Sequence, residues 1–340
     1  MTVSDLFGRP LGNLRLSVTD RCNLRCSYCM PEQEYRWLPQ PDMLSFEEIS
    51  NLVDAFVELG VTRVRLTGGE PLLRRDLARL VELLSAKPAL RDIAITTNGV
   101  LLAEQAAGLA RAGLRRFTIS LDTLRPRVFR ELTGRDDHAR VMAGIDAAVA
   151  TGLPDLKLDC VVMRGTNEGE LVDLVAFARE RRAEIRFIEY MDVGGATRWS
   201  MERVVPRPEM LERIEHALGP AEALPSDDRA PAERWRLADG TSFGIIASTT
   251  APFCASCDRA RLTADGQWLT CLYASRGIDL RGPLRAGATR AELVEVLRAR
   301  WSVRDDRGAE LRLAEVARTA LAAPAELHAD PHLEMHTRGG

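Results

Sequence analysis

VTRVRLT (residues 61–67) and RRFTISLD (residues 115–122) are the stretches from which the architecture follows. Successive side chains of a strand point to opposite faces, so Arg63, Arg65 and Thr67 share one face while Val64 and Leu66 share the other. In the second stretch Arg116, Thr118, Ser120 and Asp122 oppose Phe117, Ile119 and Leu121. A parallel sheet covered by helices on both sides reads as continuous apolar runs. One apolar and one polar face means helices on the outside only. The pattern therefore predicts a barrel or partial barrel with a polar interior and a substrate inside it. The alternation is weaker around Arg186–Glu189.

The first two-thirds of the chain repeats this theme. Candidate strands are Leu14–Val18, Val61–Thr67, Ile93–Thr97, Arg116–Leu121, Leu156–Val162 and Ile185–Tyr190, with helical patterns near 46–59, 74–86, 103–112, 139–151 and 168–181 between them. Ser45 and Glu48 have capping-box spacing at the start of the first helix, and Gly60 stands where it should close. Such alternation implies βαβ units and a parallel sheet. After about residue 192 the texture changes. GGATRW and ALPSDDRAPAER are loop-rich, RWRLADG and SFGIIAS read as short strands about a turn, and helical patterns recur near 290–301 and 309–318. The predicted fold is α/β: a partial (β/α)6 TIM-like barrel over residues 1–192, and a smaller α+β C-terminal domain over residues 193–340.

Composition narrows the class. The 340 residues are 46% hydrophobic and 28% charged, which excludes a disordered chain. A net charge of −3 provides no basic field for bulk nucleic-acid binding. No apolar run approaches the ~18 residues that span a bilayer, and MTVSDLFGRPLGN lacks the order of a signal peptide. A cytoplasmic chain with no membrane or nucleic-acid partner is expected.

Seven cysteines remain, an odd number that argues against a disulfide framework. Cys160, inside LKLDCVV, reads as a small buried hydrophobe. The other six form two triplets: Cys22, Cys26 and Cys29, directly after the first strand, and Cys254, Cys257 and Cys271. Structural zinc takes four ligands, and none of His138, His216, His328, His332 and His336 lies near the first triplet. Three thiolates on an iron–sulfur cluster leave one iron open, where a small chelating ligand would bind. For the second triplet, zinc with Asp258 or Asp265 as fourth ligand and a second open cluster both stand.

The first triplet, C-x3-C-x2-C with Tyr28 before its last cysteine, resembles the signature of the radical S-adenosylmethionine superfamily. Thr67-Gly68-Gly69-Glu70-Pro71 is similar to that superfamily's GGEP motif. These strings are joined by TTNG at residues 96–99, RFIEYMDVG at 186–194, FC-x2-C-x-RARL at 253–262, Cys271 and the terminal Gly339-Gly340. Their order and spacing resemble, over nearly the whole chain, the GTP 3′,8-cyclases of molybdenum cofactor biosynthesis. Asp159 stands where Asn is familiar, and residues 220–235 match less readily.

The resemblance implies two [4Fe-4S] clusters, one on Cys22, Cys26 and Cys29 and one on Cys254, Cys257 and Cys271. It implies S-adenosylmethionine held by Tyr28, Gly69, Glu70, Ser120 and Met191. GTP would be held by Arg15, Arg63, Arg65, Thr96, Lys157, Arg186, Arg259, Arg261, Gly339 and Gly340, with Arg259 and Arg261 as catalytic residues. Reductive cleavage of S-adenosylmethionine would give a 5′-deoxyadenosyl radical that removes the C3′ hydrogen of GTP. The C3′ radical would close onto C8 of guanine, giving (8S)-3′,8-cyclo-7,8-dihydroguanosine 5′-triphosphate. Implied partners are a reduced flavodoxin or ferredoxin, a second copy in a homodimer, and the enzyme that takes the product, cyclic pyranopterin monophosphate synthase.

Parity alone had already turned Arg63 and Arg65 inward, where an unpaired charge is very costly. A triphosphate would satisfy such planar forks; carboxylates such as Asp122 or Glu189 are the alternative partners. Two other classes share these features: a radical enzyme with an auxiliary cluster acting on a peptide, and a zinc-binding RNA module.

Overall fold

A computed structural model describes residues 2–32, 34–225 and 229–339; Gly340 and part of the 220–235 loop lie outside them. Six strands stand side by side, in chain order and all parallel: β1 (Asn13–Ser17), β2 (Arg63–Thr67), β3 (Asp92–Thr97), β4 (Arg116–Ser120), β5 (Lys157–Val162) and β6 (Glu184–Glu189). Register sets Arg15 beside Arg65, Thr96 beside Thr118 and Asp159 beside Arg186, so the polar sets share the inner face. On the outer face Leu14, Leu16, Val64, Leu66, Phe117 and Ile119 are all buried. Each such side chain contributes about 1.5–3 kcal/mol of burial. The weak alternation at β6 has a plain cause: inward Ile188 makes that wall partly apolar, and Glu189, fully buried at the end of the strand, borders the same interior.

The helices are α1 (Phe46–Glu58), α2 (Leu77–Ser85), α3 (Leu102–Arg111), α4 (Pro126–Thr133), α5 (His138–Ala150) and α6 (Leu171–Glu180). All but α4 cover the outer face, whereas α4 packs on the loop after β1, where Arg25 and Ser27 N–H donate to the Thr133 and Leu132 carbonyls at 2.9 and 2.8 Å. The capping box of α1 is complete: Glu48 N–H donates to Ser45 Oγ at 3.1 Å, and Ser45 N–H to Glu48 Oε2 at 2.7 Å. Gly60 follows at φ +115°, a conformation that favours glycine. Helix α4 has no counterpart in the sequence expectations, although Val128, Phe129 and Leu132 recur at helical spacing and are buried. Cys160 is fully buried in the core.

Beyond residue 192 come α7 (Arg207–Leu218), β7 (Ala221–Leu224), β8 (Glu233–Leu237), β9 (Ser242–Ile246), β10 (Arg259–Leu262), β11 (Gln267–Leu269) and β12 (Ile278–Asp279). The expected strands about a turn are β8 and β9. The expected helix over 309–318 is shorter, spanning Gly308–Leu313. The same sheet continues through both halves of the chain. Strand β9 adds in parallel to β6, and β10 adds in parallel to β1, with antiparallel β8–β7 and β11–β12 beyond them. Its ends are β12 and β7, so it does not close. Without β9 and β10, the edges of β1 and β6 would present unpaired backbone groups.

Helix α5 packs on α3 through Gly144, where a Cβ would lie 2.2 Å from the Gly99 carbonyl oxygen. Alanine normally stabilises a helix interior by about 0.5–1 kcal/mol over glycine, but forcing an atom against fixed backbone costs about 1–3 kcal/mol. Gly144→Ala is expected to lower stability by about 1–2 kcal/mol, read as a lower denaturant midpoint. An unchanged or higher midpoint would show that α5 shifts freely.

Candidate functional site

The loop after β1 carries the first triplet and is laced to the Gly-Gly-Glu-Pro loop after β2. Val18 N–H donates to Thr67 O at 2.9 Å, Gly69 N–H to Thr19 O at 2.9 Å and Glu70 N–H to Arg21 O at 2.7 Å. A Cβ on Gly68 or Gly69 would fall 2.3 Å from the Thr19 or Arg21 carbonyl oxygen, so only glycine allows the two loops to meet. The buried Glu70 carboxylate accepts from Leu72 N–H at 3.0 Å, Thr97 Oγ1 at 2.7 Å and Asn98 N–H at 2.8 Å. Burial raises its pKa to about 7 against these three hydrogen bonds. Asn98 Nδ2 donates to Asn23 Oδ1 at 2.8 Å, inside the cysteine loop. Tyr28 donates its hydroxyl to Asp122 Oδ2 at 2.8 Å, and Val161 N–H donates to Asp122 Oδ1 at 2.8 Å. Asn98 and Asp122 were not singled out as site residues. Both sat in view, in TTNG and on the polar face of RRFTISLD.

All six clustered cysteines line one cavity. Arg15, Tyr28, Gly69, Glu70, Thr96, Ser120, Met191, Arg259 and Arg261 line it as well. Burial pushes Cys22 up to about 12, and a hydrogen bond with Cys26, then burial, holds Cys29 well above the usual thiol range. Buried thiols crowded this way ionise together only when a cation joins them, which is the donor set of a metal centre.

The suggested fourth zinc ligands are not among the cavity's lining residues. Asp258 Oδ2 accepts from Asn13 Nδ2 at 2.6 Å and pairs with Arg63, while Asp265 holds Thr263 Oγ1 at 2.5 Å and His332 Nε2 at 2.8 Å. N–H donors are aimed at the second triplet. Cys254 receives the backbone N–H groups of Glu310 and Ala309, and Cys271 that of Tyr273 at 3.4 Å. Arg259 Nη2 donates to Cys257 Sγ at 3.5 Å. Burial opposes ionisation of Cys257, but Arg259 and its neighbours bring the thiol down to about 7. Three thiols here are the donor set that an iron–sulfur cluster with one open iron would use.

A cationic set completes the interior. Burial, then Arg261, Arg65 and Arg259, push Arg15 well below the usual arginine range. Burial lowers Arg65 to about 10 and Arg261 to about 9, with neighbouring arginines adding to each. Lys157 falls to about 8 through burial, then Arg186 and Arg116. Arg65 Nη1 rests on two hydroxyls, Thr96 Oγ1 at 3.1 Å and Thr118 Oγ1 at 2.8 Å. Crowded buried cations of this kind call for an anion.

Arg63 and Arg186 have carboxylates already: Asp258 at 3.3 Å and Glu184 at 2.8 Å. These are not the partners considered from sequence. Asp122 serves Tyr28, and Glu189 gathers Thr249 N–H, Thr250 N–H and Arg207 N–H. Arg63, Arg65, Lys157 and Arg186 lie outside the cavity wall itself.

The chain's end folds in. Arg338 is buried and donates to the Leu272 carbonyl at 2.6 Å. The Gly339 carbonyl accepts from Arg261. Gly339 has φ +73°, and a Cβ there would sit 2.4 Å from Thr67 Cγ2, at the end of β2. Gly340 is outside the described residues.

Comparison with known proteins accords with this geometry. The radical SAM superfamily model matches residues 16–178, and the Molybdenum Cofactor Synthesis C model matches residues 183–310. A relative from Mycobacterium bovis, GTP 3′,8-cyclase 3, is 58% identical over 342 residues, covering 99% of this chain and 90% of its own. A GTP 3′,8-cyclase from Acidothermus cellulolyticus is 49% identical over 323 residues, covering 91% and 88%. The structure of Streptococcus suis SuiB bound to S-adenosylmethionine shares the fold, with a TM-score of 0.59 at 16% identity over 90% of this chain and 69% of that one. The chain belongs to the GTP 3′,8-cyclase family of radical S-adenosylmethionine enzymes.

Proposed function

We propose that this chain cyclises GTP to (8S)-3′,8-cyclo-7,8-dihydroguanosine 5′-triphosphate, the first step of molybdenum cofactor biosynthesis, using two [4Fe-4S] clusters. The observation that carries the reading is that both cysteine triplets open onto one cavity whose wall also includes Arg15, Arg259 and Arg261. Residues 1–192 supply the first triplet and the Gly-Gly-Glu-Pro loop; residues 193–340 supply the second triplet and the tail. That division is one of function, across a continuous sheet.

When bound, a reduced cluster with S-adenosylmethionine supplies a radical able to take a ribose hydrogen. The chain's own residues position and protect. Backbone of the Gly68–Gly69 loop, with Tyr28, Glu70, Ser120 and Met191, would hold S-adenosylmethionine beside Cys22, Cys26 and Cys29. Arg15, Arg65, Lys157 and Thr96 would hold the triphosphate, and Arg63 and Arg186 would join by exchanging Asp258 and Glu184 for phosphate oxygens. Arg259 and Arg261, beside the second triplet, would stabilise charge that develops at the guanine and help deliver its proton. The Gly339–Gly340 tail would help organise the pocket that takes S-adenosylmethionine and GTP. A flavodoxin or ferredoxin as reductant, a homodimer, a cytoplasmic setting and hand-over to cyclic pyranopterin monophosphate synthase belong to the same proposal.

Cys22→Ser is expected to abolish S-adenosylmethionine cleavage while iron and acid-labile sulfide fall to about half. Stoichiometric zinc in anaerobically prepared protein from iron-replete cells would contradict the cluster assignment. Arg65→Ala is expected to weaken GTP binding by about 1.5–3 kcal/mol with little change for S-adenosylmethionine. Equal loss of both ligands, measured by calorimetry, would make Arg65 structural.

A further inference from the structure

The second cysteine triplet rests on a buried ion network that the reaction itself leaves unused. Arg9 Nη1 donates to the Cys254 carbonyl at 2.8 Å and to the Asp306 carbonyl at 2.8 Å. Arg304 Nη1 donates to the Cys257 carbonyl at 3.0 Å, and its Nε donates to the Thr270 carbonyl at 3.0 Å, next to Cys271. Two guanidinium groups thus hold the backbone at all three cysteines. Asp5 ties them together: its Oδ2 meets Arg9 Nε at 2.6 Å and Arg304 Nη1 at 3.0 Å. The side chains of Asp5, Arg9 and Arg304 are 0%, 2% and 1% exposed.

The rest of the network keeps these groups in place. Asp5 Oδ1 accepts from Phe7 N–H at 3.0 Å and Arg9 N–H at 2.9 Å, which curls the N-terminal segment around its own carboxylate. Arg304 stacks over Trp301 at 4.5 Å, Trp301 Nε1 donates to the Arg9 carbonyl at 3.1 Å, and Asp306 pairs with Arg304 at 3.3 Å.

Stability alone is a poor reason for such a network. Buried ion pairs cost several kcal/mol of desolvation per ion, and well-packed apolar side chains often replace them without loss. What apolar side chains cannot do is point several donors at chosen carbonyls. The ligands need that service, because Cys254 and Cys257 enter β10 while Cys271 follows β11. Their sulfurs can face one centre only if these two backbone segments keep a fixed spacing. The clamp supplies it from the chain's first residues: Asp5 and Arg9 precede β1 and lie outside both family-model matches.

We propose that Asp5, Arg9 and Arg304 are positioning residues for the second cluster, holding the backbone of Cys254, Cys257 and Cys271 in ligating geometry. This rests on the two-cluster reading above. The tests are Arg304→Met, which removes both carbonyl contacts at similar volume, and Asp5→Asn, which keeps shape but releases both arginines. Full-length proteins prepared anaerobically are compared by iron and sulfide content, by the paramagnetic signals of the reduced clusters, and by iron release to a chelator. The second cluster's signal is expected to vanish or its iron to leave roughly 10–100-fold faster, as when outer-shell partners of metal ligands are removed. The first cluster and reductive cleavage of S-adenosylmethionine should persist, which a general loss of folding would not allow. Should Arg304→Met fail to fold, Asp5→Asn decides. Both clusters released alike, or neither affected, would overturn the proposal. A wild-type chain with iron for only one cluster would instead overturn the two-cluster reading.

Discussion

The parallel pairing of β10 with β1, which sets Arg259 beside Asn13 and Arg261 beside Arg15, is the constraint on which the rest of the site depends. The Cys22 loop leaves the C-terminal end of β1, and Cys257 stands just before the start of β10. One strand pair therefore delivers the two triplets to the interior from its opposite ends. The same register drops two further arginines into a face that the first six strands had already made polar. Without it the C-terminal segment would be an appendage beside a barrel, and the cavity would lack its second set of thiols.

Electrostatics then explains why this interior is built to receive an anion. Arg15, Arg65, Arg259 and Arg261 crowd together, and burial lowers the pKa of Arg15, Arg65 and Arg261. Hydroxyls of Thr96 and Thr118 orient Arg65 without neutralising it. Where carboxylates do enter, as Asp258 at Arg63 and Glu184 at Arg186, they pair with the outlying arginines. At the other end, close backbone contact between the Gly68–Gly69 loop and Thr19–Arg21 fixes the first triplet. Glu70 braces that junction through three hydrogen bonds.

Much of this was legible from residues near one another in the chain. Period-two alternation in VTRVRLT put Arg63 and Arg65 on the inner face. There Arg65 lies deep enough for burial to lower its pKa, but Arg63, at the start of the strand, stays 38% exposed. The Ser45–Glu48 spacing marked the start of α1. The cysteine triplets and the Gly-Gly-Glu-Pro string carried the chemistry. What could not be read was long-range pairing. Nothing local says that β10 lies on β1 or β9 on β6, because strand partners so far apart in sequence leave no periodic trace. Arg304 and Asp5 meet across 299 residues with no motif between them. The carboxylate partners of Arg63 and Arg186 were mistaken for the same reason, since parity gives a face but not a neighbour.

GTP carrying deuterium at C3′ tests the central claim most directly, incubated anaerobically with the reduced protein and S-adenosylmethionine. A single cavity that sets the ribose beside the first triplet should move that deuterium into 5′-deoxyadenosine, in step with the GTP consumed. Deuterium-free 5′-deoxyadenosine alongside consumed GTP would contradict the account, as would 5′-deoxyadenosine formed while GTP is left untouched.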